Sequence, residues 1–221
     1  MLDFTKTFKK YETLIQGVEK SVQRIRESNP ECIRCAPQCS DCCQAVFDLS
    51  LIESVYINYR FYDSLPKDLQ EEVLERADKA DRRSYRIRRK IHKLITQGEK
   101  SEEEILSLLS EERVPCPFLN RSDLCDFYES RPITCRVYGL PTIIHGAGHT
   151  CGKSGFKEGI AYTSINLDRI NQHLMVLSRE LSEEIGTQDN ALRERMVPVS
   201  TALLTDYDED YFGIKTECSV L

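Results

Sequence analysis

An all-α fold is what this sequence predicts: a bundle of long amphipathic helices clamping two irregular cysteine-rich loops around a metal centre. Three observations carry it. Apolar residues recur every three or four positions over several long stretches. No run alternates with the period of two that marks a strand. And nine of the ten cysteines fall in two stretches without either periodicity.

The elements follow in chain order. Over residues 4–28, Phe4, Phe8, Tyr11, Ile15, Val18, Val22 and Ile25 lie along one seam of a helix, with Lys, Glu, Gln and Arg on the other faces. Asn29-Pro30 ends it, because proline disfavours a helical residue before it and removes a donor. Ser50-Leu-Ile-Glu53 is a capping box that opens a helix running to about Tyr62. Pro66 starts another, whose stripe of Leu69, Val73, Ala77, Ala80, Ile87, Ile91 and Leu94 continues through about Ile95. Ser101-Glu-Glu-Glu104 caps a short helix ending near Ser110. Irregular chain is expected from about Val114 to Phe156. A last long helix spans about Ser164 to Ile185, with Leu167, Ile170, Leu174, Leu177, Leu181 and Ile185 on one face and Gly186 as its terminator. Residues 1–221 read as one domain: a cysteine region over 32–151 with helical flanks at 1–30 and 160–221.

With 40% hydrophobic and 30% charged residues, many helix faces must be exposed. No apolar run approaches the roughly 18 residues of a membrane span. The start, Met-Leu-Asp-Phe-Thr-Lys-Thr-Phe-Lys-Lys, puts charges where a signal peptide needs apolar residues, so a cytoplasmic location is expected. Thiols stay reduced there, and ten cysteines then read as metal ligands or redox groups rather than disulfide staples. The net charge of −6 argues against a dedicated nucleic-acid binder. One stretch departs from that balance: between Lys79 and Lys93 stand eight Lys or Arg residues against a single acid, Asp81. It reads as a solvated face offset by Glu71, Glu72 and Glu75, as a docking surface for an acidic partner or a phosphate backbone, or as a distant balance for an anionic thiolate cluster. The seam of the first helix suits packing within the chain or a homodimer.

Five cysteines lie between Cys32 and Cys43, and Cys35-x3-Cys39-x2-Cys42-Cys43 is compact enough to aim several sulfurs at one small volume. Side chains of the adjacent pair Cys42-Cys43 diverge, which suits two metals or two corners of a larger cluster. Cys116, Cys125, Cys135 and Cys151 form the second group, stiffened by Pro115, Pro117 and Pro132. Eight sulfurs are enough for two tetrathiolate sites, or for one cluster with reserve ligands.

Cys35-Ala-Pro-Gln-Cys39-Ser-Asp-Cys42-Cys43, Cys116-Pro-Phe-Leu119, Cys125-Asp-Phe-Tyr-Glu-Ser-Arg-Pro132 and Cys135-Arg-Val-Tyr138 together resemble the CxxCxxCC (YkgJ-like) cysteine-cluster family, described as zinc- or iron-chelating domains. The resemblance covers about residues 35–151. It implies metal or iron–sulfur binding by Cys35, Cys39, Cys42, Cys43, Cys116, Cys125, Cys135 and Cys151 in a bacterial cytosolic protein. A related domain in flagellin lysine N-methylases adds methyl transfer as a weaker lead. The first spacing, x3, departs from the name-giving pattern, and Cys32 and Cys218 fall outside it.

All-cysteine ligation suits an iron–sulfur cluster, 4Fe–4S in type, serving a redox or cluster-dependent enzyme component with a protein or redox partner. It also suits zinc in a structural or interaction module. Long helices need no stapling by zinc, which favours the cluster. Tyr128, Glu129, Arg131 and Arg136 lie beside ligands; the arginines are expected to donate to cluster sulfurs or to pair with Glu129. His145 and His149 read as ordinary loop histidines. The spacing Cys35-x3-Cys39-x2-Cys42 coincides with that of radical S-adenosylmethionine enzymes, but the barrel those need is absent from this helical pattern.

Overall fold

The computed structural model describes residues 2–214 other than 99, 158 and 188; Cys218 lies outside them. Its helices are α1 (Thr5–Ser28), α2 (Leu51–Ser64), α3 (Lys67–Gln97), α4 (Glu102–Glu111), α5 (Ile133–Val137), α6 (Leu167–Ile185) and α7 (Val199–Leu204). No helix among the described residues is long and apolar enough to cross a membrane.

The chain is mostly helical, but it is not all-α. The stretch expected to be irregular holds β1 (Thr142–Ile144) and β2 (Ala147–His149), and β3 (Ile165–Asn166) precedes α6. They form a small sheet in the order β2-β1-β3, antiparallel then parallel. The β1–β2 hairpin turns on His145 and Gly146, with φ of 51° and 73°. Positive φ at both central residues is what a two-residue turn needs to match the strand twist. Asp168, in the first turn of α6, accepts from both of their N–H groups at 2.9 and 3.1 Å. Strands of two or three residues are too short to show a period in sequence.

Local signals placed the long helices well. The Ser50–Glu53 capping box is formed at the start of α2, and Ser101 and Glu104 exchange the equivalent bonds at 3.3 and 2.9 Å. Gly98 and Gly186 end α3 and α6 in the left-handed conformation. Pro66 stands one residue before α3, as its cap. The seam of α1 is buried within its own chain, where α1 packs on α2, α5 and α6. Its Phe8 and Tyr11 meet Tyr56 of α2 edge-on, at 5.1 and 4.9 Å between ring centroids.

Cys32 belongs to this core. It is 6% exposed, among apolar side chains that include Val22, Ile25 and Phe156. Gly155 packs directly against it, donating its N–H to the Cys32 carbonyl at 2.8 Å. A Cβ at Gly155 would stand 2.7 Å from Cys32 Cα and 3.1 Å from the Glu31 carbonyl oxygen. Backbone on that side cannot yield cheaply. Gly155→Ala is therefore expected to cost about 1–3 kcal/mol, read as a lower denaturation midpoint; an unchanged midpoint would show that the contact relaxes.

Candidate metal centre

Two segments far apart in sequence are zipped together by their backbones. Cys116 N–H donates to the Cys43 carbonyl at 2.7 Å, and Val114 N–H to that of Gln44 at 3.0 Å. Each segment is shaped by its own turns. Around Cys42 and Cys43 the chain makes a single 3-10 turn, Cys42–Gln44. Between Cys116 and Cys125 it folds into a tight loop, in which Leu119 bridges Cys125 and Asp126 N–H reaches the Phe118 carbonyl at 2.8 Å. Phe118 and Phe127 stack at 4.4 Å between centroids, anchoring that loop in the core shared with Phe61, Val73 and Leu203. Arg76 of α3 pairs with Asp126 at 2.7 Å, beside Cys125.

The third piece is α5, which carries Cys135. Its first N–H, from Ile133, donates to Glu53 Oε1 at 3.2 Å, which also accepts from Tyr11 Oη at 3.3 Å. The other carboxylate oxygen accepts from the Ser50 hydroxyl at 3.1 Å. Glu53 is only 3% exposed, and burial raises its pKa although these donors work in the opposite direction. One buried carboxylate thus joins α1, α2 and the helix that presents Cys135. Sequence showed Glu53 only as a capping residue; its apolar neighbours Ile52 and Val55 were the available hint of burial.

Cys42 is the centre of the thiol arrangement. Its sulfur lies 4.0 Å from that of Cys43. On one side Cys35, Cys39 and Cys151 line a small pocket with it, together with Arg34, Asp41, Tyr138 and Lys153. On the other side Cys116, Cys125 and Cys135 lie within electrostatic reach of Cys42, and Cys43 is within reach of Cys116 and Cys125. Two sets are thus linked through Cys42: an outer set, Cys35, Cys39 and Cys151, around the same pocket, and an inner set, Cys116, Cys125 and Cys135, near enough to feel its charge. Cys35 and Cys39 are exposed, whereas the inner sulfurs are partly buried.

Burial dominates the electrostatics of the thiols that shift. Burial pushes Cys116 up to about 12 and Cys135 well above the ordinary thiol range, the second reinforced by Cys116, Cys42 and Cys125. Burial also raises Cys125 and Cys35. Phe118 and Phe127 backbone N–H groups work against the rise at Cys116 and Cys125. Cys42 is the exception, lowered to about 7 chiefly by its contact with the Cys43 thiol, and the same contact raises Cys43. On the outer rim Lys153 holds Asp41 at 2.8 Å and lowers its carboxyl. Burial, then the Asp41 charge, lifts Tyr138 to about 12.

This donor set suits a soft or borderline metal. Thiols held protonated by burial become thiolates once a cation shares their site. The fit is one of chemistry and proximity: among the described residues, no three His, Cys, Asp or Glu side chains are closed on one point as an ion's ligands would be.

Arg136, 7% exposed, donates to Glu19 Oε1 of α1 at 2.7 Å and to the carbonyls of Glu129 and Arg131 at 2.6 and 2.9 Å. Arg131 stacks on Tyr128 at 3.8 Å from the ring centre and donates to the Tyr128 carbonyl at 2.8 Å. The carboxylate they share is Glu19 rather than Glu129, whose backbone alone is used. Their bonds build the wall around α5. His145 occupies the hairpin turn and His149 lies exposed on β2.

Fold and site together define a helical cysteine-cluster protein. The chain belongs to the CxxCxxCC family, described as a "Putative zinc- or iron-chelating domain", whose model matches residues 31–152. No curated protein and no solved structure matches the chain.

Proposed function

We propose that Cys35, Cys39, Cys42, Cys43, Cys116, Cys125, Cys135 and Cys151 supply the thiolates for an iron–sulfur centre, 4Fe–4S in type. The chain then serves as a redox or cluster-dependent component of a cytoplasmic enzyme system. The observation that carries this reading is the meeting of two distant cysteine segments at Cys42 and Cys43. When bound, such a cluster accepts and returns single electrons. The chain's own part is to hold the sulfurs and set their surroundings. Phe118 and Phe127 backbone N–H groups offset part of the rise that burial causes at Cys116 and Cys125, and polar groups beside the sulfurs tune cluster potentials. The stacked Phe118–Phe127 pair fixes the loop that carries both cysteines. Arg131 and Arg136 brace α5 through Glu19, so that Cys135 keeps its place.

Zinc is the second reading, favoured by one feature. Cys35, Cys39, Cys42 and Cys151 line a single pocket, and four thiolates are the complement of a structural zinc ion. Protein purified without oxygen distinguishes the two. The cluster reading expects a brown sample with broad absorption near about 400 nm and matching iron and sulfide. A colourless sample with stoichiometric zinc would overturn it.

A further inference from the structure

The outer face of α3 lies away from the metal centre, and nothing in the proposed function uses it. We infer that it is a docking surface for single-stranded nucleic acid, which it would bind along the phosphate backbone.

The local charge balance is lopsided. Residues 79–93 bring eight cations against Asp81 in a chain whose net charge is −6. Asp81 does not offset them, since it faces α7 and accepts from Thr201 Oγ1 at 2.7 Å and Ser200 Oγ at 3.3 Å. Nor do Glu71, Glu72 and Glu75, none of which pairs with these cations. Arg82 pairs with Asp78, Arg88 with Asp48 and Lys90 with Glu112. Lys79, Arg83, Arg86, Arg89 and Lys93 are exposed, and their side chains have no hydrogen-bond or ion-pair partner among the described residues.

These five share a face. They recur three or four positions apart, while Val73, Ala77, Ala80, Ser84, Ile87 and Ile91 bury the opposite side. Like charges at those spacings repel and weaken a helix, so the row stores an electrostatic cost that a polyanion relieves. Neighbours stand about 5–6 Å apart, over a helix length of about 21 Å. That is a regular ladder of point charges. Three rungs are arginines, whose planar fork matches phosphate oxygens. Tyr85 flanks the row and is 64% exposed, offering a ring on which an unpaired base can stack. A duplex has no free base face for it, and an acidic protein has no repeating phosphate, so the single strand fits best.

The test is fluorescence anisotropy with a labelled 20-nucleotide single-stranded RNA of mixed sequence. Five phosphate contacts predict a slope of log affinity against log salt of about −3.5, or roughly 100-fold weaker binding from 50 to 200 mM. R83Q/R86Q/R89Q should flatten that slope to about −1.4. Tyr85→Ala should weaken binding roughly 5- to 100-fold at an unchanged slope. Circular dichroism and metal content of the variants should equal those of the parent, which separates a lost surface from a lost fold. The inference is overturned by no binding at 50 mM salt, by an unchanged slope in the triple variant, or by a duplex of equal length binding as tightly. Poly-glutamate binding in preference to RNA would reassign the face to an acidic protein and overturn it as well.

Discussion

Cys135→Ser is expected to strip the metal and lower stability together. Cys135 stands on α5, inside the wall formed by Arg136 and Arg131, and belongs to the inner set with Cys116 and Cys125. Loss of even an outer-shell partner costs a metal site 10- to 100-fold in affinity, so a lost thiolate should cost at least about 100-fold. That factor is about 2.7 kcal/mol. In a chain of this size it lowers the melting midpoint by about 5–10 °C, because bound metal contributes folding energy. The informative contrast is Cys32→Ser. That cysteine is buried among apolar side chains, so its replacement should lower the midpoint while metal per chain stays constant. Equal metal content in the Cys135 and parent proteins, by elemental analysis, would remove the inner set from the site.

The second large effect belongs to Glu53. Its carboxylate takes hydrogen bonds from Tyr11, Ser50 and Ile133 in a nearly solvent-free position. Glu53→Ala leaves those donors without an acceptor and should cost about 3 kcal/mol, or about 6–12 °C in melting midpoint. The pH dependence has a definite sign. Burial raises the folded carboxyl above its ordinary value, and the opposing donors do not cancel it. The stability tied to that raised pKa is fully present below the unfolded pKa and is lost as pH rises through the folded one. Acidification from neutral should therefore stabilise the parent relative to Glu53→Gln, which cannot titrate. A difference that moves the other way would mean that the donors outweigh burial.

How much of this was legible in the sequence depended on the range of the signal. Helices α1, α2, α3, α4 and α6 announce themselves through periodicity and through local chemistry such as Ser50 with Glu53 and Gly186 after Ile185. The sheet did not, because two or three residues show no period, and the six-residue α7 is almost as short. The eight candidate cysteines were picked out by the motifs that resemble the family's. Their division into outer and inner sets depends on backbone bonds such as Cys116 to Cys43, which couple positions with no sequence relation. The same holds for Arg136 and Glu19, an ion pair across 117 positions. Sequence suggested Glu129 as the partner because it is near in the chain; the fold supplied a carboxylate from α1 instead. Cys32 looked like part of the cluster by density alone, and Gly155 from the far loop locks it into the core.

The separation of the two cysteine segments also sets a timetable. Roughly 70 residues lie between Cys43 and Cys116, and a chain growing at about 5–20 residues per second needs on the order of 4–15 s to span them. Throughout that interval Cys35, Cys39, Cys42 and Cys43 exist without the loop that zips onto them. A nascent chain thus displays four thiols ahead of their counterparts, open to capture by a stray ion or to oxidation. Delivery of the correct metal has to follow synthesis of the second segment, and production at reduced translation rate or under oxidising conditions should raise the fraction of chains filled wrongly.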